Sequence, residues 1–190
     1  MTSDPFNVYR NSAIEAKDLE NISSKHELVH FSKGDMILRE GKLTHEYYLL
    51  ESGLVRSYVH DYEGNEITTD FFGDNEIVIE VTSLFLKIPS QENIQCLTDC
   101  KAWKLDYDTF QMLYHTIPAF SEWGRAWMTY ALHIMKKRSI EMVSLSALQR
   151  YNQLIVSKPQ IFQFAPLKHI ASYLGVTDTS LSRIRKEAVQ

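Results

Sequence analysis

The sequence predicts an α+β chain: short antiparallel strands forming a sandwich or barrel, then a long helix, then two short helices around a tight turn. Three observations carry this. Five of the seven glycines lie between residues 34 and 73 at spacings of 7, 12, 11 and 9, with β-branched and aromatic runs between them, the rhythm of an antiparallel sandwich or barrel. After Leu105 the hydrophobic period changes from two to about 3.6. The last stretch, Leu167 to Lys186, places small and apolar residues where two crossing helices need them.

Taken in order, Ser12 to Ile22 is expected to be a helix. Ser12 and Glu15 have capping-box spacing, and Ile14, Leu19 and Ile22 can dock it on the sheet. The strands are Leu28–Phe31, Met36–Arg39, Tyr47–Glu51, Leu54–His60, Glu66–Phe72, Ile77–Ile79, Ile94–Thr98 and Lys101–Leu105. In the run from Leu54 to Val59, Val55, Ser57 and Val59 take one face, and Leu54, Arg56 and Tyr58 the other. That alternation predicts a strand with one dry side at best. Asp106–Thr116 reads as a helix with Phe110, Leu113 and Tyr114 inward. Pro118 opens a helical stretch running to about Val156. From Pro118 to Leu148 a continuous helix would span roughly 45 Å, more than a small β domain needs for cover. Its stripe of Trp127, Tyr130 and Ile134 therefore predicts burial against a second copy, a homodimer. Pro159 and Pro166 bracket a short irregular connection, and a last helical unit runs from Leu167 to Gln190.

Composition removes several classes. With 190 residues, 44% hydrophobic and 23% charged, the chain is not mainly disordered. No apolar run reaches the ~20 residues of a membrane span. Met1 to Arg10 holds Asp4 and Pro5 and no apolar core, so no secretory signal is expected. Cys96 and Cys100 cannot build a disulfide framework or a four-thiolate zinc site. The expected compartment is the cytoplasm. The net charge of −4 conceals a split: residues 1–120 hold 10 basic and 20 acidic side chains, residues 121–190 hold 10 and 4. A C-terminal part of charge +6 suits a polyanionic partner.

The C-terminal stretch has the helix-turn-helix pattern. Ala171 is small at the crossing, Gly175 takes the turn, and Ile170, Leu174, Val176, Leu181 and Ile184 form the packing set. Pro166 suits the first turn of the first helix, and Thr177 the N-cap of the second. The outward positions, Asp178, Thr179, Ser180, Ser182, Arg183 and Lys186, are then polar or basic. With Thr177 and Arg185 they are the candidate DNA-binding residues. Side chains near the helix start can read base edges in a major groove while basic groups hold phosphate. Arg183 suits guanine and Arg185 phosphate, since a guanidinium donates bidentately to either. Enzyme chemistry finds little support: the seven histidines include no His-x-His pair, no Gly-x-x-x-x-Gly-Lys loop is present, and no metal site is expected.

Over nearly its whole length the chain resembles the Crp/Fnr superfamily of bacterial transcription regulators. Phe31-Ser32-Lys33-Gly34-Asp35, Arg39-Glu40-Gly41 and Tyr48-Leu49-Leu50-Glu51-Ser52-Gly53-Leu54-Val55 match the glycine and strand pattern of the cyclic-nucleotide-binding domain. Arg150-Tyr151 through Pro159 to Leu181-Ser182-Arg183-Ile184-Arg185 resembles the C-terminal part of the shorter regulators. The resemblance implies an antiparallel β-roll (a jelly roll) as sensor over 1–117, a dimerisation helix over 118–149 and a DNA-binding helix-turn-helix over 150–190. It implies double-stranded DNA, a second copy and RNA polymerase as partners, with an unidentified small-molecule effector. One departure bears on that effector. Cyclic-nucleotide-binding members carry Phe-Gly-Glu and then Arg-Ser-Ala, the Glu holding ribose and the Arg the cyclic phosphate. Here Val78-Ile79-Glu80 stands at the first, and Pro89-Ser90-Gln91-Glu92 puts Ser90 at the arginine position. The phosphate would lose its charge-assisted partner and meet Glu92, so cAMP and cGMP are not the expected effectors. Phe71, Phe72, Glu80, Ser90 and Gln91 form a candidate pocket for another ligand, or are packing retained without one. The sequence also ends soon after Lys186, so no β-wing is expected. The alternative function is a small-ligand or cyclic-nucleotide sensor or adaptor without specific DNA binding.

Overall fold

A computed structural model describes residues 4–10 and 13–188. Two short helices, α1 (Asn7–Arg10) and α2 (Ala16–Ser24), precede eight strands: β1 (Glu27–Phe31), β2 (Met36–Leu38), β3 (Glu46–Ser52), β4 (Val55–His60), β5 (Glu66–Phe72), β6 (Ile77–Val78), then helix α3 (Val81–Leu86), then β7 (Asn93–Cys96) and β8 (Cys100–Asp106). Helices α4 (Tyr107–Thr116), α5 (Pro118–Ser144), α6 (Ala147–Ser157), α7 (Ile161–Phe164), α8 (Leu167–Tyr173) and α9 (Asp178–Glu187) complete the chain.

The strands form two antiparallel four-stranded sheets, in the orders β1-β8-β3-β6 and β2-β7-β4-β5. This is the jelly roll implied by the resemblance. Period-two alternation distributes β3 between two cores. Tyr48 and Leu50 point between the sheets with Leu38, Val55, Val78, Ile94, Cys96 and Ala102. Tyr47 and Leu49 point outward, to a second core that α2, α4 and the start of α5 supply through Ile22, Leu113, Phe120 and Trp123. A third core lies on the other sheet's outer face. There Leu54, Phe71 and Leu97 meet Tyr151, Leu154, Ile161, Ile170, Leu174, Leu181 and Ile184. The layers are helix, sheet, sheet, helix, so both outer faces are covered. Gly53, in the β3–β4 turn, has φ +118°, and a Cβ there would lie 2.8 Å from the Asp99 carbonyl.

Each strand predicted from the sequence is present within two residues at its ends. Five expectations need correction. The first helix begins at Ala16 with Glu15 as N-cap, and Ser12 lies outside the described residues. Ile22 nevertheless docks as expected. From Leu54 to Tyr58 every residue is buried, so β4 is dry on both sides, because the C-terminal helices close its outer face. The long helix ends at Ser144 instead of continuing through Leu148. Leu145 is extended, and Ser146 starts α6 with a capping box: Gln149 N donates to Ser146 Oγ, and Ser146 N to Gln149 Oε1. The stretch between Pro159 and Pro166 holds the helical turn α7, whose Ile161 is fully buried. Pro166 is the N-cap of α8, one place before its first turn.

Candidate nucleic-acid interface and effector pocket

Helices α8 and α9 pack through Ile170, Ala171, Leu174, Leu181 and Ile184, all buried. Gly175 between them has φ +67°, as a left-handed turn residue should. Thr177 caps α9, its Oγ1 accepting from Ser180 N at 3.2 Å. Ser180 is half-buried and its hydroxyl accepts from Thr177. Both are spent on the cap, so Ser180 does not point outward as the sequence suggested. At 100° per residue, Leu181 and Ile184 define the inner side of α9. Thr179, Ser182, Arg183 and Lys186 then lie opposite, while Asp178 and Arg185 flank one edge. All six are exposed. None of the described ion pairs engages Arg183, Arg185 or Lys186. Thr179 and Lys186 lie nearest the centre of that face, with Ser182 and Arg183 to either side of it.

The face of α8 turned away from α9 meets the roll. Arg56, 2% exposed, donates from Nη1 to His169 Nδ1 at 2.7 Å and from Nη2 to Glu66 Oε2 at 2.5 Å and Gln95 Oε1 at 2.9 Å. Its guanidinium lies 4.1 Å from the centre of the Tyr58 ring. Burial, with Arg56 and Lys168 nearby, pulls the His169 pKa down to about 4. Lys158 reaches Glu76 at 2.9 Å and the Phe71 carbonyl. Burial alone would lower its pKa, but Asp70 and Glu76 raise it on balance. Arg138 and Arg150 tie the end of α8 to α5 and α6, donating to the Tyr173 and Leu174 carbonyls at 3.1 and 2.9 Å. Sequence reasoning missed all of these. The available signal was Arg56 itself, a charge inside an apolar strand.

The candidate pocket residues are not brought together. Phe71 and Phe72 are adjacent on β5 and so point to opposite sides. Phe72 packs between the sheets, while Phe71 is buried against Tyr173 of α8, ring centres 5.2 Å apart. Phe71 therefore cannot line the interior. Glu80 caps α3, accepting from Thr82 N and Ser83 N. Ser90 is buried, and its hydroxyl donates to the Glu92 carbonyl at 2.8 Å and accepts from Glu92 N at 3.0 Å. Gln91 is exposed. Burial, with Glu80 and Asp70 near, raises the Glu92 pKa. The cavity between the sheets, beside Tyr48, Glu46, Val78 and Glu80, holds about 10 Å³, room for one water. Tyr48 lines it, its hydroxyl donating to Glu46 Oε1 at 2.6 Å.

The geometry is that of a β-roll joined through a long helix to a helix-turn-helix. Residues 28–116, from β1 to the end of α4, match the cyclic nucleotide-binding domain family. No curated protein matches the chain. Among solved structures, the c-di-GMP responsive global regulator CLP from Xanthomonas campestris is similar, with TM-score 0.71, 16% identity, and 91% of each chain covered. FixK2 from Bradyrhizobium japonicum gives TM-score 0.72 at 14% identity, over 85% of this chain and 83% of that one. A protein of the Crp/Fnr family from Eubacterium rectale gives 0.71 at 17%, over 97% and 87%. The expected fold is borne out: the domain match spans most of the β-roll, and at such identities the neighbours speak for the fold. No helix among the described residues is long and apolar enough to cross a membrane.

Proposed function

We propose that this chain is a homodimeric DNA-binding transcription regulator of the Crp/Fnr type and not an enzyme. Residues 1–117 serve as sensor, 118–149 as dimerisation segment and 150–190 as reader. The observation that carries the reading is the outer face of α9: Thr179, Ser182, Arg183 and Lys186 stand clear of the roll on a helix whose other side is consumed by packing. The charge split supports it, since the reader end carries the positive excess. So do the neighbours, two of which are described as a global regulator and a Crp/Fnr family protein. Double-stranded DNA and a second copy are the partners, RNA polymerase the expected third. The site of expected action is the cytoplasm.

Helix α5 supplies the dimer seam. Trp127 is half-buried against its own chain's core, so of the predicted stripe only Tyr130 and Ile134 are free. A better seam runs one step round the helix. Met128, Leu132, Met135 and Met142 follow heptad spacing, and Leu132 and Met135 are 67% and 69% exposed.

The effector is not cAMP or cGMP. Ser90 offers no cation, Glu92 opposes an anion, and the cavity beside Tyr48 holds only about 10 Å³. A thermal-shift screen with cyclic nucleotides and other metabolites checks this, and a large shift with cAMP would overturn it.

Gel shift with genomic fragments at several salt concentrations tests DNA binding. Specific retention that falls steeply with salt is expected. Arg183→Ala should weaken the specific site by about tenfold or more and leave non-specific retention nearly unchanged. Unchanged specific retention would refute the assignment of α9. A sensor or adaptor without DNA binding would show no specific retention at any salt.

A further inference from the structure

We infer that Arg56 and His169 form a joint fixing the helix-turn-helix on the sensor's outer sheet, which makes Arg56 a positioning residue for the reading helix. The inference rests on the reading of α9 given above, and deepens it by naming how sensor and reader are coupled.

The joint is built from groups 113 positions apart. An arginine only donates, so His169 must accept at Nδ1 and carry its proton on Nε2. Arg56 therefore has a matched acceptor on each side: His169 from the reader, Glu66 and Gln95 from the sensor. Three residues along α8, Ser172 repeats the arrangement. Its Oγ accepts from Thr68 N and donates to Thr68 Oγ1, both at 3.1 Å. Tyr173, next along, packs on Phe71, and Lys158 closes the far side on Glu76. Positions 169, 172 and 173 share one face of α8, so that face is fitted to β4 and β5. Because α8 and α9 share Ile170, Leu181 and Ile184, α9 follows α8. A shift of β4 and β5 reaches the reading helix directly, alongside the route through α5. The joint does not cover α9, so it sets orientation and does not block access.

Hydrogen exchange on the full chain without DNA tests this. His169→Leu leaves a buried guanidinium one acceptor short. It should speed exchange in α8 and β5 by about tenfold and leave β1, β8 and α4 unchanged. His169→Asn puts an oxygen where Nδ1 stood and should restore protection. Arg56→Lys keeps the charge but cannot span Glu66, Gln95 and His169 together, and should loosen the same segments. Unchanged exchange in α8 and β5, an equal rise over the whole chain, or an Asn variant as loose as the Leu variant would each overturn the joint. Affinity for DNA selected with the wild-type protein is the second readout. Loss of about tenfold in His169→Leu, with recovery in His169→Asn, is expected. If exchange behaves as expected and even the wild type binds no DNA, the joint stands and the reading of α9 fails. If DNA binds but does not respond to His169→Leu, the positioning role fails.

Discussion

At the scale of single residues, two buried histidines dominate the response to acid. His26 is held between the Ile22 carbonyl at Nδ1, 2.9 Å, and the Tyr9 hydroxyl at Nε2, 3.1 Å. The carbonyl only accepts, so Nδ1 carries the proton and Nε2 accepts from Tyr9. Burial lowers the pKa of His26 to about 4, and burial with Arg56 does the same for His169. A free histidine titrates near 6.5. Above that value both states are neutral and stability is flat. Between 6.5 and 4 only the unfolded chain takes up the protons, so stability falls as pH falls. Each histidine contributes a slope approaching about 1.4 kcal/mol per pH unit. Glu92, its pKa raised by burial, opposes the trend, while Glu51 and Glu66, whose pKa values are lowered, act below this window. Urea midpoints at pH 7.5, 6.0 and 5.0 should therefore decline, and His169→Asn should remove roughly half of the decline. A midpoint independent of pH across that range would contradict the buried neutral rings.

Among the elements, the break between α5 and α6 makes a separable prediction. The box between Ser146 and Gln149 is reciprocal, so removing either partner removes most of it. Ser146→Ala should cost about 1 kcal/mol, Gln149→Ala somewhat less, and the double variant no more than the larger single loss. Denaturant melts of the four proteins check it, and additive losses would show that the two caps act independently. The same elements show what could be read in advance. The strands were legible because glycine spacing and period-two alternation are local signals. The break at Leu145 was not, although Ser146-Ala147-Leu148-Gln149 has the capping-box pattern, because apolar residues continue at helical spacing on both sides of it. The packing set and Thr177 cap of the helix-turn-helix were legible for the same local reason as the strands. The buried side of β4 was not. Arg56 in an alternating strand looks the same whether it faces water or a partner, and its partner His169 comes 113 residues later. The failure of the proposed pocket at Phe71 was foreseeable, since neighbours in a strand cannot share a face.

The whole molecule presents two surfaces with opposite requirements: a basic face on α9 and an apolar flank along α5 from Met128 onward. The flank sits at the transition from the acidic N-terminal part to the basic C-terminal part, and its chemistry fits an identical helix. Met128, Leu132, Met135 and Met142 repeat at four, three and seven residues, so two copies can interlock along the seam. A carboxylate in that seam would be buried against its own symmetry mate, and like charges so placed repel. Leu132→Asp should thus shift the chain from dimer to monomer in sedimentation at micromolar concentration, with little loss of monomer fold because Leu132 makes no core contact of its own. Specific DNA affinity should fall with it, since a dimer engages two half-sites through one association and a monomer only one. Raising the concentration of the variant should recover part of the retention. Tyr130→Asp, on the neighbouring flank, should have the smaller effect. If Tyr130→Asp dissociates the dimer and Leu132→Asp does not, the seam is the one formed by Tyr130 and Ile134, and the two reading helices are set at a different angle to each other.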